Sequence, residues 1–352
     1  MVFNSIFFIF CFLPVFMLIY YLVPGKLRNL LLFLGSLIFY AWGEPVYVIL
    51  MLFSSIFNYY MGTELERLYY DDRKQKINLI FSIIINLAVL VFFKYYGFLL
   101  NTIGGIIGIH IPHPELSLPI GLSFYTFRNL SYLFDIYLSK VSAQRNFLTF
   151  SVYSTMFPYT SAGPIVRYTD IETQLKQRTI NISKFGIGAE LFVKGLAKKV
   201  LLADNLSVLY SSICGHPQMS VFTSWLGILA YTMQLYFDFS GYSDMAIGLG
   251  KMLGFDFNKN FDYPYISTSV SEFWRRWHIS LGSWFRDYIY IPLGGNRVST
   301  LKHIRNILVV WALTGLWHGA SWNFVLWGVY YGLFLLLEKF VLQKYLKKIP
   351  SW

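Results

Sequence analysis

Residues 271–297 read SEFWRRWHISLGSWFRDYIYIPLGGNR, and after a basic connector residues 311–324 read WALTGLWHGASWNF. Two histidines, His278 and His318, stand in this stretch, each among tryptophans and each with a glycine nearby. An ionisable group beside membrane-grade apolar sequence is costly to keep, which makes it a functional candidate by default. Imidazole also has the side-chain pKa nearest neutrality, so it can take and return protons. The bland reading is a buried histidine paired to a backbone carbonyl. The expectation tested below is that the other helices hold both rings at one protected point.

The composition sets the surroundings. The chain has 352 residues, of which 56% are hydrophobic, 20% aromatic and only 13% charged. A soluble domain carries roughly 25% charged residues, so a fully water-facing surface is excluded. Several windows exceed the roughly 20 apolar residues that span a bilayer as a helix. A β-barrel would show short alternating segments instead. The reading is an all-α, polytopic transmembrane helical bundle forming a single domain over 1–352, with about nine spans by the 20-residue rule. Membrane lipid is its solvent. The net charge of +11 is carried by Lys and Arg in short connectors, as the positive-inside rule places them. Nothing in the pattern suggests a nucleic-acid surface. Cys11 and Cys214 are isolated and give neither a disulfide framework nor a metal pattern. The opening MVFNSIFFIFCFLPVFMLIYYLV reads as a retained first helix, without a basic start or a cleavage site.

Expected spans follow in order. Residues 3–23 come first, then 29–42 and 45–61 broken at Trp42–Pro45, because the residue before a proline leaves the helical region. Residues 77–99 and 118–138 follow, separated by the loop 100–117, which has no Lys or Arg. Residues 146–169 are interrupted by Pro158, Gly163 and Pro164, so they read as a re-entrant segment buried among helices. A second re-entrant piece is expected near 266–292. Residues 170–184 read as a polar stretch, then 185–213, 221–250, a span starting near Arg305 and 324–342 as helices. Basic connectors at Lys26/Arg28, 67–76 and 140–145, and at the end Lys339, Lys344, Lys347 and Lys348, fall on one side. That side should be cytoplasmic, with the amino terminus extracellular in a multi-pass plasma-membrane protein. His110 and His113 then lie in an outer loop, as ordinary exposed histidines; no metal site is expected. Asp238 and Asp244 sit inside an apolar window. Pairing with a cation is the structural reading; direct proton transfer is the functional one.

At these residues the chain resembles the membrane-bound O-acyltransferase family, most closely its bacterial alginate O-acetyltransferase branch. LPIGLSFYTFRNLSYLFDIY, MFPYTSAGPIVRY, QLYFDFSGYSDMAIGLGKMLGF, FWRRWHISLGSWFRDYIYIPLGGNR and WHGASWNFVLWG occur in the family's order across nearly the whole sequence. The resemblance implies a compact helical bundle with re-entrant pieces, His318 as catalytic residue, and His278 at the second active-site position, where eukaryotic relatives often carry Asn. It implies an acyl donor as co-substrate, acetyl-CoA or an acyl-carrier thioester, and no permanently bound cofactor. It also implies a polysaccharide acceptor, often reached through an extracellular or membrane-anchored partner with a serine-hydrolase-like fold. Teichoic acid D-alanyltransferases share the two-histidine arrangement, so D-alanyl transfer is the alternative within the family. Relatives generally continue beyond the WHG helices, whereas this sequence stops at Trp352; a fragment or a natural short form is expected.

Acyl transfer to a hydroxyl needs a base, and neutral imidazole serves near pH 7. His318 is assigned that role, with His278 orienting the acceptor or stabilising the oxyanion. Trp274, Trp277, Trp317 and Trp322, with Asn323, are assigned to the substrate pocket, although tryptophans also gather at membrane interfaces. Arg275, Arg276, Arg286 and Arg297 are candidates for donor phosphates, or plain juxtamembrane charges. The rivals from other classes are a transporter or flippase with a His/Asp proton relay, and a scaffold with no chemistry.

Overall fold

The computed structural model describes residues 1–114, 116–216 and 218–346. Lys347, Lys348 and the terminal residues to Trp352 lie outside the described residues. Described residues form helices and connecting segments, with no strand among them. The α-helices run α1 (Leu13–Leu22), α2 (Arg28–Gly43), α3 (Val48–Arg67), α4 (Asp72–Ile107), α5 (Leu122–Tyr137), α6 (Phe147–Thr155), α7 (Tyr168–Lys176), α8 (Ile182–Ala197), α9 (Asp204–Cys214), α10 (Val221–Met252), α11 (Val270–Arg276), α12 (Ile279–Phe285), α13 (Thr300–His318), α14 (Trp322–Leu337) and α15 (Gln343–Leu346). Among the described residues three stretches are long and apolar enough to cross a membrane, Val48–Arg67, Asp72–Ile107 and Trp322–Tyr345. The molecule is an all-helical membrane protein.

Its contacts group into two compact units, 1–56 with 144–259 and 57–143 with 260–352. In the first, Phe8, Phe12, Phe16, Phe39 and Phe157 pack ring against ring. The interrupted stretch 146–169 is buried through α6 and the turn Phe157–Tyr159. Broken backbone needs partners there, and the Ser36 hydroxyl accepts the Phe157 N–H at 3.0 Å. The expected polar stretch after it instead begins with α7, capped where Asp170 accepts the Arg167 N–H. The sequence carries the signal for this start, an acid three residues after the cap position.

Helices α8 and α10 approach closely at Gly195 and Gly241, where a Cβ on either would strike the other's carbonyl oxygen. Helix α8 runs on through a π-helical turn, Lys198–Ala203, into α9. That wider turn presents Lys198 and Lys199 to the acids of α10 and α9. Lys198 bonds Asp244 at 2.6 Å, and Lys199 bonds Asp238 at 2.7 Å and Asp204 at 2.9 Å. Both apolar-window aspartates thus have cationic partners, as the structural reading required.

In the second unit, α4 is a 36-residue helix capped by Asp71, whose side chain accepts the Lys74 N–H. The Asn58 and Asn86 amides bond each other at 3.0 and 2.8 Å. Helix α5 docks through Trp284, whose ring stacks on Phe127 at 4.1 Å and whose N–H donates to the Phe127 carbonyl. Tyr288 donates to the buried Asp135 at 2.8 Å. Helices α13 and α14 meet at Gly315 and Gly328; a Cβ on Gly315 would run into the Phe324 carbonyl oxygen. This close crossing fixes the end of α13, where His318 stands.

Candidate active site

The two histidines sit at two helix breaks. His278 separates α11 from α12 in a left-handed conformation, φ +44° and ψ +54°. A non-glycine residue held there carries backbone strain, which persists only where surroundings over-determine it. Here they do. The His278 carbonyl accepts the Leu281 and Gly282 N–H groups, while the Asn260 carbonyl accepts that of Ile279 at 2.9 Å. At the other end, the carboxylate of the buried Glu338 caps α11 by accepting the Val270 and Ser271 N–H groups at 2.6 and 3.1 Å.

The proton on the His278 ring follows from its neighbours. Asn260 Oδ1 accepts from the Ser280 N–H at 3.1 Å and from the Ser280 hydroxyl at 2.9 Å. A backbone N–H can only donate, so that atom of Asn260 is the oxygen. His278 Nδ1, 3.2 Å from the same oxygen, therefore carries the proton. In the neutral ring Nε2 is left as an acceptor. This assignment comes from the hydrogen-bond pattern.

His318 closes α13, and the chain then turns extended at Gly319, φ −169°. Any residue can adopt that conformation; the glycine is needed for space, because a Cβ there would collide with the Phe324 ring. The His318 ring is bracketed by Trp317 at 4.9 Å and Trp327 at 4.7 Å. Trp317 also contacts the His278 ring at 5.7 Å, so one indole links the two imidazoles.

Both histidines line one cavity of about 400 Å³, with Trp274, Arg275, Trp277, Arg286, Tyr290, Trp311 and Thr314 in its wall. Trp274 packs edge-on against Trp311 and Tyr331, at 4.8 and 4.9 Å. The wall carries five aromatic rings beside aliphatic side chains, with two imidazoles and two guanidiniums, which suits a thin apolar chain ending in a polar or anionic group. A second cavity of about 800 Å³ is lined by nine residues between Phe93 and Ile106 of α4, by His113 and by Ala320, Ser321 and Trp322. His318 and Ala320 thus face different cavities across a single turn.

Of the sequence candidates, His278, His318, Trp274, Trp277 and Arg275 meet at the first cavity. Trp317 stands between the histidines, and Trp322 belongs to the second cavity. Arg276 lines neither: Glu272 bonds it at 2.8 Å and Asp262 lies 3.6 Å away. Asn323 is exposed and Arg297 is exposed, and neither lines a cavity. Arg275 makes no ion pair among the described residues. His113 folds back, its Nδ1 3.0 Å from the Ile111 carbonyl, and lines the second cavity. Among the described residues no cluster of His, Cys, Asp and Glu could hold a metal.

Sequence reading passed over Asn260, Ser280, Trp311, Trp327 and Tyr331, whose placement only the fold reveals. It placed Lys94 near the end of the 77–99 span and gave it no role, although a lysine in an apolar span is as costly as a histidine there.

Apolar helices enclosing a cavity lined by two histidines define a membrane-embedded helical protein with a histidine-centred site. Residues 40–347 match the model of MBOAT, the membrane-bound O-acyltransferase family, and the chain belongs to that family. It is 44% identical to a probable alginate O-acetylase of Pseudomonas aeruginosa, over 96% of this chain and 66% of that protein. A peptidoglycan O-acetyltransferase of Helicobacter pylori is 35% identical, over 96% of this chain and 70% of that protein. A teichoic acid D-alanyltransferase of Bacillus subtilis is 29% identical, over 69% of this chain and 64% of that protein. The chain thus spans about two thirds of the length of these relatives.

Proposed function

We propose that this chain is an O-acyltransferase that passes an acetyl group from a thioester donor to a hydroxyl of a polysaccharide, or of a partner that acylates it. Carrying this reading is the convergence of His278 and His318 on one cavity with five aromatic rings in its wall. Acetyl is favoured over D-alanyl because the relatives matched over 96% of the chain are an O-acetylase and an O-acetyltransferase by name, while the D-alanyltransferase matches 69%.

In this mechanism His318 acts as base. No described group hydrogen-bonds its ring, and the indoles on either side leave its polar edge to the cavity. As the hydroxyl oxygen attacks the thioester carbonyl, the imidazole takes its proton. The tetrahedral oxyanion then collapses, the C–S bond breaks, and the thiolate leaves with that proton as a thiol. His278, with Nε2 as acceptor, suits orienting the attacking hydroxyl and not donating to the oxyanion. Arg275, unpaired at the wall, is suited to a phosphate of a coenzyme A or phosphopantetheine donor. The donor enters from the cytoplasmic side and the acceptor from the other, in a multi-pass protein with its amino terminus outside. A serine-hydrolase-like partner is the expected receiver or relay.

The test supplies acetyl-labelled coenzyme A to the purified full chain in vesicles, with polysaccharide acceptor present. Label appearing on the acceptor supports transfer. Movement of acceptor across the vesicle without any thioester consumed would contradict it and favour the transporter.

A further inference from the structure

Two side chains that the chemistry above does not use hold the carbonyl end of α13. The last carbonyls of a helix have no partner within it and must be satisfied from outside. Here Lys94 Nζ donates to the Trp317 carbonyl, and the neighbouring Tyr95 hydroxyl donates to the Leu316 carbonyl at 2.5 Å. Lys94 also lies over the Trp317 ring, 5.6 Å from its centroid. It has no carboxylate partner among the described residues. Helix lengths bring the two groups together: Lys94 stands 22 residues after Asp72 and His318 18 residues after Thr300, rises of about 33 and 27 Å.

An ammonium in an apolar span is expensive, and here its bond and its cation–π contact both go to the residue that precedes His318. The Trp317 indole touches both imidazoles, so anchoring Trp317 sets the distance between them. We propose that Lys94, assisted by Tyr95, is a positioning residue that clamps the Leu316–Trp317 end of α13 and thereby holds His318 in its working geometry. Lys94 lines the larger cavity while His318 lines the smaller one, so the clamp is part of the partition between them. The proposal rests on the acyltransferase reading for its catalytic consequence but not for its structural one.

Two measurements on the full chain separate these. The first is steady-state acetyl transfer by the wild type, Lys94→Met, Lys94→Arg and Tyr95→Phe. A displacement of about 1 Å in a catalytic group can cost on the order of 100-fold. Lys94→Met should therefore lower kcat about 10- to 100-fold with donor KM within about twofold. Lys94→Arg, which keeps charge and donors, should restore kcat to within about threefold. The second is amide hydrogen exchange over 316–320 in detergent, which should accelerate in Lys94→Met and Tyr95→Phe and return to the wild-type rate in Lys94→Arg. Unchanged kcat in Lys94→Met, or a lost kcat with unchanged exchange, overturns the clamp; the second outcome would place Lys94 on substrate instead. Should the wild type transfer no acetyl, the functional reading fails, and unchanged exchange would still overturn the clamp independently. If Lys94→Met does not fold, Tyr95→Phe carries both measurements.

Discussion

Two of the places where ionisable groups enter apolar helices are treated in opposite ways. In the α8–α10 pair, Lys198 and Lys199 each meet aspartates within hydrogen-bond distance, and the π-helical turn brings two successive lysines to bear. In the second unit, Lys94 and Arg275 have no carboxylate partner among the described residues, and the His318 ring, packed beside three aromatic rings, has no hydrogen-bond partner among them. Paired charges cancel locally and hold helices together. Groups left without such cancellation retain the capacity to bind or take a proton. The contrast separates structure from chemistry more sharply than motif position does.

Apart from loss of His318 itself, the largest expected effect probes the chemical side. Asn260→Ala removes the oxygen that holds His278 Nδ1–H and both Ser280 donors. Losing the orientation of one imidazole should lower kcat on the order of 100-fold, measured as acetyl transfer at saturating donor, with Ser280→Ala milder. Equal activity in Asn260→Ala would detach His278 from the mechanism.

Next comes the structural side. Asp244→Ala leaves Lys198 without its carboxylate. Breaking a fully buried pair costs about 3–5 kcal/mol, and partial exposure here should reduce that to roughly 1–2 kcal/mol. Thermal unfolding in detergent should shift accordingly, while kcat of the folded fraction stays within about twofold of wild type. Lys198→Met combined with Asp244→Leu should recover stability. A kcat collapse with intact stability would move Asp244 into the proton-transfer role.

The smallest effect concerns backbone strain. His278→Gly and His278→Ala both lose the buried ring and lower turnover, but the glycine, free of the left-handed penalty, should be the more stable of the two by about 1 kcal/mol, and His278→Asn should fold well because Asn tolerates that region. If His278→Gly unfolds no later than His278→Ala, the strain account is wrong.

Helix content and the broken stretches were readable because apolar periodicity, prolines and glycines are local signals. Trp42–Pro45 ends α2 where expected, with Glu44 leaving the helical region, and Pro158 and Gly163 mark the buried interruption after α6. What was not readable depends on three-dimensional pairing. Arg275 and Arg276 are adjacent in sequence and identical in type, yet one lines the cavity and the other is occupied by Glu272. Helical geometry turns neighbours about 100° apart, so that outcome requires knowing which face meets the cavity. Asn260 is 18 residues from His278 across an irregular segment, beyond any periodic signal. Lys94 was legible in principle, since the rule that singled out the histidines applies equally to a lysine.

The central claim is that His318 is the base of an acyl transfer, and one measurement meets it most directly. Acetyl transfer from labelled donor is compared between wild type and His318→Ala, with the unfolding midpoint taken on the same samples. General base catalysis is worth about 100- to 10,000-fold, so transfer should fall by that range while the midpoint stays put, because the His318 ring makes no described hydrogen bond to lose. Transfer within twofold of wild type in a folded His318→Ala protein would contradict it.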